Sequence, residues 1–247
     1  MTEVCVITGG SRGIGAVCAQ LVSEAGFTVC FSYVSNSAAA ERVVADIETA
    51  GGSAKAIKAD VAKEDDILNL FAEAEKLGTI KSLINNAGVV DMTERVENYT
   101  FERLQRMYGV NVIGSILCAR EAVKRMSTKH GGKGGTIVNL SSAAAYLGSP
   151  NQYVDYAASK AAIDTFTKGL ALEVADEGIR VNAIRPGLID TDLHESGGEI
   201  DRVKQLEHMV PMKRGGSAME VAKAIIWLTS DDASYVTGDS INVTGGR

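Results

Sequence analysis

A doubly wound α/β fold, with a parallel sheet covered by helices on both faces, is predicted by three features of this 247-residue sequence. Short apolar runs of strand length alternate with amphipathic, helix-like runs; the connections between them are short; and the first run ends in a glycine-rich turn that opens a helix. Strands separated by helices return across a sheet in the same direction, so repetition of this unit implies parallel strands buried on both faces. The composition agrees. A chain that is 45% hydrophobic and 23% charged, with 26 Gly against 3 Pro, suits one packed domain with tight strand-to-helix turns and excludes a disordered or fibrous protein.

The elements follow in order. Val4 to Thr8 reads as a strand ended by Gly9 and Gly10, and Gly13 to Ala25 as a helix closing at Gly26. Strand-like Thr28 to Tyr33, helix-like Ala38 to Ala50, strand-like Ala54 to Ala59, helix-like Glu64 to Leu77 and strand-like Ser82 to Asn85 continue the alternation. A long helical pattern from Phe101 to Met126 passes through the glycines of Gly131 to Gly135 into a strand, Thr136 to Leu140. A helix from Val154 to Ala175 and a strand from Ile179 to Ile184 come next. The regularity lapses over Asp190 to Met209, which is polar, carries Gly197 and Gly198, and reads as a flap. A helix from Ala218 to Leu228 and a strand from Ser240 to Val243 complete a single domain over residues 1–247.

Several functions are excluded at this level. The formal charge of −6 leaves no electrostatic footprint for nucleic acid, and no stretch approaches the roughly 18 apolar residues of a membrane span. The chain begins without a basic-then-apolar leader, so a soluble, cytoplasmic protein is expected. Cys5, Cys18, Cys30 and Cys118 lie far apart with no histidines at ligand spacing, and read as reduced, buried thiols; no metal site is expected. His194, Glu195 and His208 fall in or near the flap without a base–nucleophile or metal pattern.

Thr8, Gly9, Gly10, Ser11, Arg12, Gly13, Ile14 and Gly15 place glycines where the backbone must turn sharply and approach a phosphate, and where helix-start amides meet that phosphate. This Thr-Gly-x-x-x-Gly-x-Gly pattern resembles the fingerprint of the short-chain dehydrogenase/reductase family. Asn85-Asn86-Ala87-Gly88 at the end of the fourth strand, Asn111 in the long helix, and Tyr156 with Lys160 after Ser141-Ser142 are similar to the family's further motifs, so the resemblance spans the chain. It implies a seven-stranded Rossmann fold and a nicotinamide cofactor touched by Asn86, Ala87, Gly88, Pro186 and Gly187, with Ile189 and Thr191 against the carboxamide. Asp60, with Val61 beside it, resembles the adenine-contacting Asp. Where NAD-preferring relatives carry an acid after the second strand, this chain has Ser32 and Tyr33; with Arg12 in the glycine loop, NADP is the expected cofactor.

Carbonyl reduction needs a proton donor at the nascent alkoxide, and a tyrosine, with an ordinary pKa of about 10, needs a nearby cation to act as one. Tyr156 and Lys160, four apart, share one helix face, whereas Tyr146 and Tyr153 have no such lysine. The resemblance implies that Lys160 also holds the nicotinamide ribose and that Ser142, rather than Ser141, holds the substrate oxygen. It further implies that Asn111 supports a helix irregularity and a water on the way from Lys160 to solvent. The interval from Ser142 to Tyr156 is 14 residues, one longer than in many members of the family, so a differently shaped loop is expected.

The leading expectation is therefore an NADP-dependent oxidoreductase acting on a small free carbonyl or secondary alcohol. Its pocket would be walled by Val89 to Met92, Ala143 to Pro150, Tyr153 and the flap. A 3-oxoacyl-[acyl-carrier-protein] reductase is the alternative. It is weakened because positions where that branch offers arginines hold Leu172 and Glu177, although Lys124, Arg125, Lys129 and Lys133 form a basic run. A non-catalytic NADP sensor is the alternative of another class. The resemblance also implies a homotetramer or homodimer, joined through the long helices and the segment Tyr235 to Arg247.

Overall fold

The structure is a computed structural model and describes residues 2–191 and 201–247. Strand β1 (Glu3–Ile7) sets the plan of the fold. Its alternate side chains bury on opposite sides, Val4 and Val6 in one core, Cys5 and Ile7 in the other. The chain then alternates α1 (Gly13–Glu24), β2 (Thr28–Tyr33), α2 (Ser37–Thr49), β3 (Ala54–Lys58), α3 (Glu64–Glu75) and β4 (Thr79–Asn85). Helices α4 (Phe101–Tyr108) and α5 (Ser115–Met126) precede β5 (Gly135–Leu140), and α6 (Ala144–Leu147) and α7 (Val154–Val174) precede β6 (Ile179–Pro186). Short β7 (Ile189–Asp190), α8 (Arg202–Leu206) and β8 (Gly216–Ser217) lead to α9 (Ala218–Thr229) and β9 (Ser240–Val243).

Seven strands form one sheet in the order β3-β2-β1-β4-β5-β6-β9, with every neighbouring pair parallel. One face packs on α3, α5 and α7 through Ile67, Phe71, Cys118, Ala122 and Val174. The other packs on α1, α2 and α9 through Cys18, Val22, Val43, Ile47 and Ile225. The chain crosses from one half of the sheet to the other between β3 and β4, so the crevice above β1 and β4 is the place where such a sheet opens to a ligand. All four cysteines are buried free thiols, and burial pushes Cys5, Cys30 and Cys118 up to about 12 and Cys18 higher still.

The helical run from Phe101 to Met126 is continuous, and Gly109–Gly114 within it is wound as a π-helix, a widened turn that periodicity alone does not reveal but that agrees with the helix irregularity implied at Asn111 by the family resemblance. Two expectations are corrected. The segment expected as an irregular flap contains structure: β7 pairs with β8, and α8 is helical; His194 and Glu195 lie outside the described residues. β6 runs two residues past Ile184 because Arg185 and Pro186 pair with Asn242 and Val243 of β9. Among the described residues, no helix is long and apolar enough to cross a membrane.

Candidate active site

A cleft of about 1080 Å³ runs across the C-terminal ends of the strands. At its centre Gly9 (φ +68°) and Gly13 (φ +54°) adopt left-handed backbone that a side chain would resist, which turns the chain from β1 into α1. Thr8 fastens this turn to the next motif: its Oγ1 accepts from the amides of Asn86 and Ala87, both at 3.0 Å. Asn86 Nδ2 answers by donating to the carbonyls of Thr8 at 2.9 Å and Gly9 at 2.8 Å. Two segments far apart in sequence thus form one rigid floor. Ser11, Arg12, Gly13 and Ile14 line the cleft with Asn86, Ala87 and Gly88, and the first turn of α1 carries no acidic residue. Gly15 does not line the cleft. It is buried beneath, where a Cβ would come within 2.5 Å of Asn86 Nδ2, so its role is to let the helix sit against that floor.

At the end of β2, Ser32 and Tyr33 both line the cleft. The Ser32 hydroxyl is committed inward, accepting from Gly9 N at 3.0 Å, and the residue is only 2% exposed. Ser32, expected at the cofactor site, thus lines the cleft and also braces the glycine turn. The sequence reading missed Arg42 of α2, which lines the same cleft as Arg12; neither is ion-paired among the described residues. Asp60 and Val61 line the wall after β3, and Asp60 Oδ1 accepts from Ala62 N at 3.0 Å in a tight turn.

The far end is built by α7. Tyr156, buried, receives a hydrogen bond partner in Ser142, whose Oγ also accepts from Ala144 N at 3.1 Å. Ser141 is turned inward and donates to the Lys160 carbonyl at 3.1 Å. Lys160 Nζ donates to the Leu140 carbonyl at 2.7 Å and stands 5.7 Å from the centre of the Tyr156 ring. Here the expected electrostatics are corrected. Burial pushes the Tyr156 phenol up, with only the Ser142 hydrogen bond pulling it down, and burial lowers Lys160 to about 8 against the pull of Asp164. Desolvation is the largest influence on both groups.

Asn111 sits in the π-helical turn and is fully buried. Its Oδ1 accepts from Val89 N at 2.8 Å, and its Nδ2 donates to Val89 O at 3.0 Å and Ser159 Oγ at 3.1 Å. It does not line the cleft; its carboxamide ties the loop after β4 to α7. Gly88 lies between it and the lysine, where a Cβ would stand 3.5 Å from both Asn111 Oδ1 and Lys160 Nζ.

Pro186, Gly187, Ile189 and Thr191 line the cleft past β6. Val89, Val90, Ala143, Ala144, Ser149, Pro150 and Tyr153 form the remaining wall, joined by Leu188 and Arg202, which the sequence did not single out. Asp91 and Met92 depart from expectation: they turn into a separate shallow groove, where Asp91 pairs with Arg106. The long loop before α7 closes through α6, with Gly148, Ser149 and Asn151 all at positive φ. Among the described residues, no cluster suits a metal ion.

A family model described as enoyl-(acyl carrier protein) reductase matches residues 9–247. The chain is 51% identical over 245 residues to the uncharacterized oxidoreductase YgfF of Escherichia coli (strain K12), covering 99% of both. It is 39% identical to 3beta-hydroxysteroid dehydrogenase 1 of Eggerthella lenta, over 99% of this chain and 93% of that one. Its fold superimposes with a TM-score of 0.90, at 32% identity, on a blue fluorescent protein from a metagenomic library in complex with NADPH, covering 99% and 97% of the two chains. The chain belongs to the short-chain dehydrogenase/reductase family and is an oxidoreductase.

Proposed function

We propose that this protein is an NADP-dependent oxidoreductase that interconverts a carbonyl and a secondary alcohol on a small free substrate, with Tyr156 as the acid and base. The observation that carries this reading is the convergence of Tyr156 and Ser142 at one end of a cleft whose other end presents Arg12 and Arg42 and, after β2, no carboxylate.

The donor set fits the cofactor. The uncapped start of α1 and the glycine turn, with Ser11, Gly13 and Ile14, suit a pyrophosphate. Tyr33, Arg12 and Arg42 suit a 2′-phosphate, Asp60 and Val61 an adenine, and Lys160 the ribose beside the nicotinamide. Pro186, Gly187, Ile189 and Thr191 suit its carboxamide. A structural neighbour solved with NADPH supports the same choice. When bound, this group supplies or takes the hydride.

The chain's own residues handle the proton. Ser142 orients the carbonyl oxygen beside Tyr156. As the carbon gains its hydride, the carbonyl π electrons move to oxygen and the Tyr156 phenol gives that oxygen its proton, leaving a phenolate. The charge of Lys160 stabilises the phenolate, and in the reverse direction the phenolate takes the alcohol proton. Burial pushes the phenol up from its ordinary value, so it rests in the protonated form that reduction uses, while oxidation uses the phenolate. Asn111 holds the loop and helix that carry these groups.

An acyl-carrier substrate is less well supported. Lys124 and Arg125 are engaged by Glu121 and Lys129 by Glu177, so the basic run is largely neutralised, while Leu172 is exposed. Titrating the protein with NADPH and NADH, then following cofactor oxidation with free ketones, aldehydes and 3-oxoacyl carrier thioesters, tests the reading. It predicts tighter NADPH binding and turnover of free carbonyls. Turnover of carrier thioesters alone would overturn the free-substrate claim, and binding with no turnover across the panel would favour a sensor.

A further inference from the structure

Asp155 and Arg103 form a buried ion pair immediately beside Tyr156. Asp155 begins α7 with its side chain 1% exposed, and the Arg103 side chain on α4 is 10% exposed. The guanidinium grips the carboxylate with two prongs, Nε to Oδ2 at 2.7 Å and Nη2 to Oδ1 at 3.1 Å. Its third edge donates to the Met92 carbonyl at 2.7 Å, and its carbon lies 4.2 Å from the centre of the Tyr99 ring. Tyr99 in turn accepts from Val154 N through its hydroxyl at 3.1 Å, and Asp155 Oδ1 accepts from the backbone amide of Tyr156 at 3.0 Å. Every one of these contacts ends on the first turn of α7 or on the loop after β4.

A charged pair removed from water is a poor source of net stability unless its geometry is well used, and here each of the three nitrogens of the fork meets a specific acceptor. The arrangement joins three segments, α4, the loop around Met92, and residues 154–156. None of these contacts touches the cleft lining that suits the cofactor's phosphates. We propose that Arg103 and Asp155 are positioning residues for Tyr156: the pair fixes the start of α7 so that the phenol meets the Ser142 hydroxyl. This rests on Tyr156 being the acid and base, and it assigns the pair no contact with the substrate.

The test uses the full-length protein labelled with ¹³Cζ-tyrosine. The Tyr156 resonance is identified by its loss in Tyr156→Phe, and Ser142→Ala gives its position without the hydroxyl partner. Asp155→Asn and Arg103→Leu should each move the resonance toward the Ser142→Ala position. Both should lower kcat for reduction of 2,3-butanedione or another carbonyl that the wild type turns over by roughly 10- to 100-fold, with the NADPH Kd within about threefold. Opposite displacements in the two variants would mean that only net charge matters and would overturn the proposal. So would a wild-type resonance and kcat in variants that are folded by circular dichroism but melt earlier, which is the signature of a purely structural pair. Arg103→Lys, which keeps the charge without the fork, should fail to restore the wild-type resonance. Turnover that survives in Tyr156→Phe would instead remove the catalytic reading, and the proposal with it; loss there with normal Asp155→Asn would remove the positioning proposal alone.

Discussion

Lys160 stands over the face of the Tyr156 ring, 5.7 Å from its centre, while its ammonium donates to the Leu140 carbonyl at 2.7 Å. The lysine is therefore anchored to the end of β5, and the phenol finds its hydrogen-bond partner in Ser142 instead. Burial lowers Lys160 from its ordinary 10.5 to about 8.

That displacement predicts how stability varies with pH. Below pH 8 the lysine is protonated in both folded and unfolded chains, and the fold carries the cost of burying its charge. Between about pH 8 and 10.5 the unfolded chain holds a proton that the folded one releases, so this group's contribution to stability rises with pH. Lys160→Met should be more stable than wild type by about 1–2 kcal/mol at pH 7, after the lost hydrogen bond is allowed for, and the advantage should shrink to nothing by pH 10.5. Urea denaturation at the two pH values checks this, and a gain independent of pH would contradict it.

The two arginines at the adenosine end should discriminate between cofactors. Arg12→Ala and Arg42→Ala should each weaken NADPH roughly 10- to 100-fold and leave NADH within about threefold, since a charge-assisted bond to phosphate is lost in only one case. Fluorescence titration reads both constants; equal losses for the two cofactors would place the arginines elsewhere in recognition.

Gly15 tests the floor of the cleft. A Cβ there would come within 2.5 Å of Asn86 Nδ2, so Gly15→Ala must displace the side chain that ties Gly9 to the loop after β4. The variant should lose at least about 1–3 kcal/mol of stability and most of its NADPH affinity. Thermal melts with and without NADPH should show a lower Tm and a smaller ligand-induced rise than in wild type.

Glu121, nearly buried on α5, is pushed up by its burial, yet hydrogen bonds from Lys124, Arg125 and Arg120 hold it down at about 2. Its folded value lies below its unfolded one. The stabilisation is thus complete above pH 4.5 and is lost as pH falls toward 2. Glu121→Gln should cost roughly 1–3 kcal/mol at pH 7 and flatten the acid limb of the stability curve without changing kcat. An unchanged acid limb in denaturation experiments would contradict it.

The parts of the fold and site that were legible in the sequence are those carried by contiguous residues. The glycine turn from Gly9 to Gly15 follows a strand and opens a helix, and Tyr156 and Lys160 share one helix face, so local spacing was enough to find them. The inward turn of the Ser32 hydroxyl depends on Gly9, 23 positions away, and the Arg103–Asp155 pair spans 52 positions; neither leaves a local pattern. Arg42 reads as an ordinary helix-surface charge until β2 and α2 are folded around the cleft. Periodicity left the π-helical turn at Asn111 unmarked, because one widened turn barely disturbs an amphipathic period; only the family resemblance implied an irregularity there. Most instructive is Tyr156 itself. Its nearness to a lysine was readable, but the direction in which its proton affinity moves depends on how deeply both groups are buried, which only the packing of Tyr153, Met107 and Val90 around it determines.

The central claim is that Tyr156 delivers the proton while other residues hold the cofactor. Its most direct test is to bind NADPH to wild type and to Tyr156→Phe and, in a stopped-flow instrument, follow cofactor oxidation on mixing with the best free carbonyl of the panel. The account predicts Kd values for NADPH within about threefold of each other and a rate in the variant lower by at least 10²- to 10⁴-fold. Oxidation at the wild-type rate in Tyr156→Phe, with the protein folded and the cofactor bound, would contradict it.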